Sequence, residues 1–266
     1  MPVFSISDLS VRTAGGFFGR SRAIVADVSI VLEERGVLAI LGRSGDYRDR
    51  VPALSDAAFE RWRRSSVGFL HQGAQRSLVP HHSPQDYLRR LFPRSNERST
   101  ARARFSDAAA TLGLPLVDRD LDRRIATFSG GEAQRIALAL RLAGRPSILV
   151  LDEPSAALDF EAALRMKALV GTAIDAFGVA VICVTHDYHF ISGLAGRALY
   201  LENGRTGELD LATGEGGSAQ ALEWLAMSRQ EADEYNRFFG TEPGGTTSAV
   251  ATVPVKMMRP ETVDAR

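Results

Sequence analysis

Two acidic side chains directly follow a continuous apolar run, and together they could carry out magnesium and water chemistry. The run is 148–151, and Asp152 and Glu153 come next. Continuous apolar runs of this length are typical of strands that are buried on both faces of a parallel sheet. Such a strand delivers its carboxylates to the edge where α/β folds place metal-assisted hydrolysis. A single carboxylate there is equally typical of a helix cap, so Asp152 alone leaves both interpretations open.

A second segment could bind an anion. Ser129, Gly130 and Gly131 stand just before a helical pattern over 132–143. The glycines allow the backbone to approach a phosphate closely, and the serine adds a hydroxyl at the positive end of the helix dipole. Ser-Gly-Gly by itself is typical of an ordinary turn, so the segment becomes informative only together with the acidic pair.

Alternating strand and helix patterns indicate the fold that must position these residues. This alternation favours an α/β domain with a parallel sheet. We predict that residues 1–226 form the domain and 227–266 an appendage, because the periodicity weakens at Met227 and 241–248 has a linker composition. The patterns predict strands at 3–12, 24–32, 37–41, 67–70, 148–151 and 179–184, and helices at 53–64, 101–112, 132–143 and 161–177.

Composition excludes several classes of protein. The 32 basic and 32 acidic side chains balance, so no overall charge draws the chain to nucleic acid, and we expect no nucleic-acid partner. The single cysteine, Cys183, excludes an intramolecular disulfide and a cysteine zinc site, and it favours a reducing, cytoplasmic compartment. No run approaches the roughly 18 apolar residues that span a bilayer, and the first residues do not resemble a signal peptide. Any membrane role is therefore expected to depend on a partner.

Taken together, the motifs resemble those of ATP-binding-cassette proteins, in the family's order over about residues 1–210. Phe-Ser-Gly-Gly-Glu at 128–132 and Ile-Leu-Val-Leu-Asp-Glu-Pro-Ser-Ala-Ala-Leu-Asp at 148–159 resemble the signature, Walker B and D-loop. Val-Ile-Cys-Val-Thr-His-Asp at 181–187 resembles the strand and switch histidine, and Phe-Leu-His-Gln at 69–72 resembles the Q-loop. Gln-Arg-Ser-Leu-Val-Pro at 75–80 is similar to an element of peptide and nickel importers.

The resemblance implies a fold and an assembly. The fold is a parallel-sheet ATPase core with a small antiparallel β-subdomain and a helical subdomain over about 75–145 that carries the signature. Two such domains face each other head to tail and enclose ATP and Mg²⁺, so each site combines residues of both subunits. The family also implies transmembrane permease subunits and a peripheral position on the cytoplasmic face of the membrane.

Individual roles follow from the same resemblance. Asp152 would hold Mg²⁺ through water, Glu153 would polarise the attacking water, and His186 would contact the γ-phosphate. Asp159 would couple the two sites. The other implied nucleotide contacts are the phosphate loop with Gly42, Ser44, Gly45 and Arg48, the γ-phosphate sensor Gln72, and Ser129, Gly130, Gly131 and Glu132, which would cap ATP held by the opposite subunit.

The phosphate loop departs from the family pattern, which is Gly-x-x-Gly-x-Gly-Lys followed by Ser or Thr. Tyr47 replaces a glycine where backbone amides must wrap around phosphate. Arg48 places a planar fork where a compact ammonium belongs. Asp49 replaces the hydroxyl that ligates magnesium and puts a carboxylate near the phosphates. We therefore expect ATP binding at this loop to be weak or absent.

The segment after the loop is also short. Gln72 follows Arg48 by only 24 positions (72 − 48), which is far fewer than the family uses. The segment 53–64 resembles the helical turn just before the Q-loop strand, so the missing part is the helix after the phosphate loop and a strand of the antiparallel subdomain. That helix normally offers its N-terminus to the phosphates. We therefore expect a reduced β-subdomain.

These features favour the degenerate half of an asymmetric ATPase pair. Its partner would be a second cassette subunit with an intact loop, and the pair would drive uptake of a small solute such as a peptide or metal chelate. We expect little or no ATPase activity from the chain alone. One alternative is a non-catalytic scaffold or regulatory subunit in a soluble assembly such as phosphonate degradation. Another is a decayed copy, which the intact signature and Walker B disfavour.

Overall fold

Eight strands form one mixed sheet in the computed structural model, which describes residues 2–12, 23–41, 66–71, 78–156, 158–202 and 205–239. Within these residues the spatial order is β1-β2-β8-β7-β3-β6-β5-β4. The strands are β1 Pro2–Arg12, β2 Ala23–Glu33, β3 Val37–Leu41, β4 Val67–Leu70, β5 Ile148–Asp152, β6 Ala180–Val184, β7 Arg197–Glu202 and β8 Arg205–Asp210.

The centre of the sheet is parallel and its margin is antiparallel. β4, β5, β6, β3 and β7 pair parallel to one another, whereas β7 pairs antiparallel with β8. β1 and β2 form an antiparallel ribbon that joins β8 through the single pair Ala26 and Arg205. Parallel neighbours require crossover connections, which helices supply here. The predicted α/β class with a parallel sheet is confirmed.

The described helices include a group that precedes β5 and a smaller group that follows it. The group before β5 forms the helical layer that ends in the signature helix. No described helix combines the length and apolar character that crossing a membrane requires. The helices are α1 Pro84–Leu91, α2 Ser95–Thr111, α3 Asp118–Leu121, the 3₁₀ turn Ile125–Thr127, α4 Gly130–Leu142, α5 Phe160–Phe177, α6 Tyr188–Ile191 and α7 Ala219–Phe239.

The central strands are buried on both faces. Leu149 and Val181 belong to the main core, which includes residues of α4 and α5 such as Ile136 and Met166. Neighbouring strand positions face the opposite side, where Ile148 and five other buried residues pack with the antiparallel ribbon. Burial on both faces explains why these strands are continuous apolar runs rather than alternating ones.

Two sequence predictions concern the segment after the phosphate loop and the end of the domain. The predicted helix 53–64 and the shortened segment after the phosphate loop lie outside the described residues. The predicted domain end at residue 226 lies within α7, which continues to Phe239. Ala232 in its second half is buried, so the helix contributes to the same body on both sides of that position. The boundary stays a prediction.

Candidate functional site

The acidic pair and the switch histidine meet at the carboxyl edge of the sheet. β5 and β6 are parallel neighbours, with Asp152 directly opposite Val184. The Glu153 backbone amide donates to the Val184 carbonyl oxygen at 2.8 Å, which extends the pairing one residue beyond β5. Thr185 and His186 follow β6 immediately. This register brings together Glu153 and His186, as their positions after parallel strands predict.

Glu153 is held by side chains from the end of β6. Its Oε1 lies 2.8 Å from Nδ1 of His186, and its Oε2 accepts a 3.3 Å hydrogen bond from the Thr185 hydroxyl. The residue adopts φ 45°, a left-handed conformation that is costly for a side-chain-bearing residue. Strain of this kind persists where surrounding contacts enforce it. The Glu153 carboxylate is thus fixed in direction, which is what a group that orients a water molecule needs.

The imidazole of His186 is free to act on its outer side. Its side chain is 73% exposed, whereas that of Glu153 is 24% exposed. Because Nδ1 faces the carboxylate, Nε2 is the nitrogen available to an incoming phosphate oxygen. An imidazole between a carboxylate and a phosphate can donate to the phosphate while the carboxylate stabilises its positive charge. The pair can therefore serve as an anion sensor.

Asp152 has the character of a magnesium ligand. Its side chain is half-buried at the end of β5, and within the described part of the chain its carboxylate has no hydrogen-bond or ion-pair partner. Carboxylate oxygens suit Mg²⁺, which keeps several waters and takes few protein ligands. The described residues contain no group of three acidic, histidine or cysteine side chains arranged around a metal. The Asp152 carboxylate could take part in a Mg²⁺ site that is completed by waters or by groups outside the described residues.

The signature serine caps a helix that opens to solvent. Ser129 is the N-cap of α4, and its Oγ accepts from the Glu132 amide at 3.3 Å. In return, the Ser129 amide donates to Oε2 of Glu132 at 2.7 Å, which completes a capping box. The Ser129 side chain also lies beside the Glu132 carboxylate, which its hydroxyl stabilises in the charged form. Ser129 and Gly130 are exposed, so this hydroxyl and the amides at the start of the helix face outward.

Glu132 brings a negative charge to this helix start. Its pKa is lowered, first by the hydrogen bond from the Ser129 backbone and then by the Ser129 side chain and the nearby Arg123 and Arg135. The carboxylate is therefore ionised at neutral pH. The positive charges of Arg123 and Arg135 offset the negative charge of Glu132, so the carboxylate repels an approaching anion less strongly.

Arg123 organises the approach to the signature, and the sequence analysis did not identify it. Its guanidinium lies 4.2 Å from the centre of the Phe128 ring, and Nη2 donates to the Thr127 carbonyl oxygen at 3.1 Å. Nη1 pairs with Asp120 at 3.1 Å. The contact of Arg123 with the Phe128 ring and its hydrogen bond to the Thr127 carbonyl oxygen together hold the backbone just before Ser129 in place. Its partners lie only three to five positions away, but the chain turns between α3 and the 3₁₀ turn, so no regular helical or strand spacing marks this arginine.

The D-loop residue Asp159 has a separate structural role. It is the N-cap of α5, and its Oδ1 accepts from the Ala162 amide at 2.7 Å. The hydrogen bonds of the signature cap reach neither Glu153 nor His186, so the signature and the acidic edge are two separate groups of side chains. The remaining predicted nucleotide contacts, Gly42, Ser44, Gly45, Arg48 and Gln72, lie outside the described residues.

Comparison with known proteins finds a consistent set of similar chains. A model of the ABC transporter family matches residues 50–156. The nickel import ATP-binding protein NikE of Escherichia coli O157:H7 is 30% identical over 230 residues, which cover 77% of this chain and 85% of NikE. The molybdenum import ATP-binding protein ModC of Thiobacillus denitrificans is 33% identical over 199 residues, and the match covers 67% of this chain and about half, 53%, of ModC.

A solved structure has a similar fold. It is the dimeric post-hydrolysis state of the ATP-binding cassette MJ0796 bound to ADP and Pi. The TM-score is 0.58 and the identity 21%, over 77% of this chain and 97% of that one. At this identity the likeness bears on the fold alone.

Proposed function

This chain belongs to the ABC transporter family as an ATP-binding cassette, and on that premise we propose that it is the degenerate half of an asymmetric ATPase pair. The observation that supports this proposal is that Ser129 caps a helix start that is exposed to solvent, so its hydroxyl and the amides of Gly130 and Gly131 are accessible to a partner. A partner with an intact phosphate loop would supply ATP to this surface. The chain would thus complete its partner's site while its own loop binds nucleotide weakly.

The signature is chemically suited to that task. A hydroxyl proton and backbone amides at a helix start stabilise negative charge developing on a γ-phosphate, since donors and dipole point the same way. Arg123 fixes the backbone that enters this helix and offsets the Glu132 carboxylate. The hydroxyl and amides are positioned by the capped start of α4, so little reorganisation would be needed when the partner's ATP arrives.

The chain's own nucleotide site, in contrast, is poorly suited to bind the phosphates of ATP. Tyr47 and Asp49 oppose close phosphate binding by bulk and by charge. Glu153 and His186 pair at 2.8 Å, and the Glu153 backbone is left-handed in the turn between β5 and α5. We propose that the pair helps to hold this turn, which would give both residues a structural use beside a damaged loop. When Mg²⁺ is bound it would supply charge neutralisation beside Asp152, which is the residue placed to hold it through water.

The roles of similar chains suggest which kind of transport this chain takes part in. NikE, a nickel import ATP-binding protein, matches this chain over 85% of its own length. We therefore propose that this chain works in an importer of a small solute such as a metal chelate or peptide. Its partners would be a second cassette subunit and transmembrane permeases, with the chain peripheral on the cytoplasmic face of the membrane.

The proposal is tested by co-expressing this chain with a cassette subunit that has the lysine-containing loop. Photolabelling of the purified pair with 8-azido-ATP and Mg²⁺ should place most label on the partner, and the pair should hydrolyse ATP while this chain alone does not. A useful control is the partner with its loop lysine changed to alanine, which should lose label and turnover together. Most label on this chain would contradict the proposal. Purification with soluble enzymes and no permease would instead favour a scaffold role.

A further inference from the structure

Lysine is rare in this chain, and one of its lysines is half-buried against a neighbouring segment. Only Lys167 and Lys256 occur among the 32 basic residues, so the other 30 are arginines (32 − 2). Lys167 lies in the middle of α5 and is largely removed from solvent. Burial lowers the pKa of its amine, and Asp187 opposes this effect in part. A buried ammonium is costly unless it is hydrogen-bonded, so its acceptors are informative.

Those acceptors lie in the segment that follows the switch histidine. Nζ of Lys167 donates to the His189 carbonyl oxygen at 2.8 Å and lies 3.5 Å from the Ser192 hydroxyl oxygen. A compact ammonium can reach a carbonyl and a hydroxyl on one short segment, whereas the longer planar fork of arginine requires more space. This requirement gives a physical reason for a lysine in an arginine-rich chain.

A second contact joins the same two segments. The ring of Phe160, the first residue of α5, packs edge-on against the ring of His189 at 5.4 Å between centres. Asp159 caps α5 immediately before Phe160, and His186 lies three residues before His189. The helix that begins at the D-loop residue is therefore attached twice to the segment that carries the switch histidine.

We propose that Lys167 is a positioning residue that couples the switch histidine His186 to the D-loop residue Asp159 through α5. Its bond to His189 transmits displacement of the switch segment to α5. In the proposed pair, this linkage carries the state of the degenerate site to the partner's active site. The inference rests on the proposed function only for that last step, since the linkage itself belongs to the isolated chain.

The rarity of lysine permits a direct test that leaves Lys167 unchanged. In a Lys256→Arg background, [¹³C]lysine labelling gives one side-chain resonance, which reports Lys167 alone. We expect its Cε resonance to titrate below the ordinary lysine pKa in the isolated chain, and to shift when the pair closes on ATP. An ordinary lysine pKa together with the chemical shift of a free lysine side chain would overturn the inference. A Lys167 resonance that does not change when the pair closes on ATP would also overturn it.

Amide exchange of the isolated chain tests the linkage itself. Ile191 and Ser192 donate their amides to the Asp187 and Tyr188 carbonyl oxygens within α6. Lys167→Met should speed exchange of these two amides by at least about tenfold, because a charged hydrogen bond that holds the segment is lost. The control is Arg165→Met, which removes the same charge from the same helix but breaks only an exposed pair with Glu161. Equal exchange in the two variants would overturn the inference.

Kinetics of the pair separate positioning from simple stability. We expect Lys167→Met to lower kcat several-fold without changing KM for ATP, and Arg165→Met to change neither. In an Asp159→Ala background, Lys167→Met should add no further loss if both residues act through α5. Additive losses would overturn the coupling. If Ser129→Arg leaves the pair active, the proposed function fails, while the resonance and exchange results still decide the linkage.

Discussion

Ser129 has two roles in this account, helix capping and phosphate binding, and substitutions can separate them. Ser129→Ala removes the acceptor of the Glu132 amide as well as the hydroxyl proton. Ser129→Asp keeps a capping acceptor, since aspartate is a strong N-cap residue, but it removes the donor and adds negative charge. Alanine is thus expected to affect stability and turnover together, whereas aspartate should affect turnover alone.

The stability change can be estimated from the cap geometry. Replacing an N-cap serine by alanine costs about 0.5–2 kcal/mol. The Oγ to Glu132 amide distance is long at 3.3 Å, and the reciprocal 2.7 Å bond from the Ser129 amide survives the change. We therefore place the loss near the lower end, about 0.5–1 kcal/mol. For a chain of this size that corresponds to a Tm decrease of roughly 1–4 °C.

The kinetic change should be much larger than the stability change. Losing one donor to a developing anion lowers turnover by roughly 10²–10³-fold. The assay is steady-state ATPase of the reconstituted pair, with Tm of each variant measured in parallel. Ser129→Asp should show a nearly native Tm with turnover at least as low as that of Ser129→Ala. Native turnover in Ser129→Asp would refute the reasoning, because capping alone would then explain the residue.

Three further outcomes are expected. Restoring the loop with Tyr47→Gly, Arg48→Lys and Asp49→Ser should not produce micromolar ATP affinity in calorimetry, because point changes cannot supply the helix that the short spacing to Gln72 predicts to be absent; micromolar binding would show that the short segment suffices. Burial raises the pKa of the Cys183 thiol, so iodoacetamide should modify it only after unfolding, and rapid labelling of the native chain would contradict its buried position. Backbone hydrogen bonds from Thr213 and Ala212 lower the pKa of Asp210, so its stabilisation is complete above about pH 4 and lost as pH falls further. The Tm difference between wild type and Asp210→Asn should accordingly shrink in acid, and a constant difference would contradict this assignment.

Strands of the central sheet could be predicted closely, because burial on both faces leaves a continuous apolar run. The runs 37–41 and 67–70 coincide with β3 and β4. Other elements were missed. Helix α1 carries a start signal, since Ser83 and Asp86 form a capping box around Pro84, but the helix has only eight residues and a short apolar pattern.

Helix α7, near the end of the chain, was missed for a different reason. Much of α7 is exposed, and its buried face rests on widely spaced residues such as Ala221, Leu225 and Ala232, two of which are alanines. Such a stripe gives weak periodicity, so the sequence pattern predicts no helix over any part of Ala219–Phe239. β7 and β8 were also missed, although the sequence carries a local signal for them: Asn-Gly at 203–204 is typical of a two-residue hairpin, and Glu202 pairs antiparallel with Arg205.

The candidate site was predictable where it depends on strand ends and unpredictable where it depends on tertiary contacts. Glu153 and His186 approach one another because β5 and β6 are parallel neighbours in register. The left-handed conformation of Glu153 has no counterpart in the sequence, since glycine or asparagine would be expected there. Lys167 meets a carbonyl 22 positions away, a contact that no local spacing indicates.

In the proposed pair, this chain's signature serves the partner's ATP, whereas its own acidic edge does not carry the turnover. The most direct measurement compares Ser129→Arg and Glu153→Gln, each introduced alone into the reconstituted pair, by ATPase rate at saturating ATP. Arginine at 129 adds bulk where the partner's phosphates approach, so turnover should fall by roughly 10²-fold or more. Glu153→Gln should leave most of the turnover, since it alters the degenerate site. If Glu153→Gln abolishes turnover and Ser129→Arg preserves it, the assignment of the two sites is reversed and this chain is the active half.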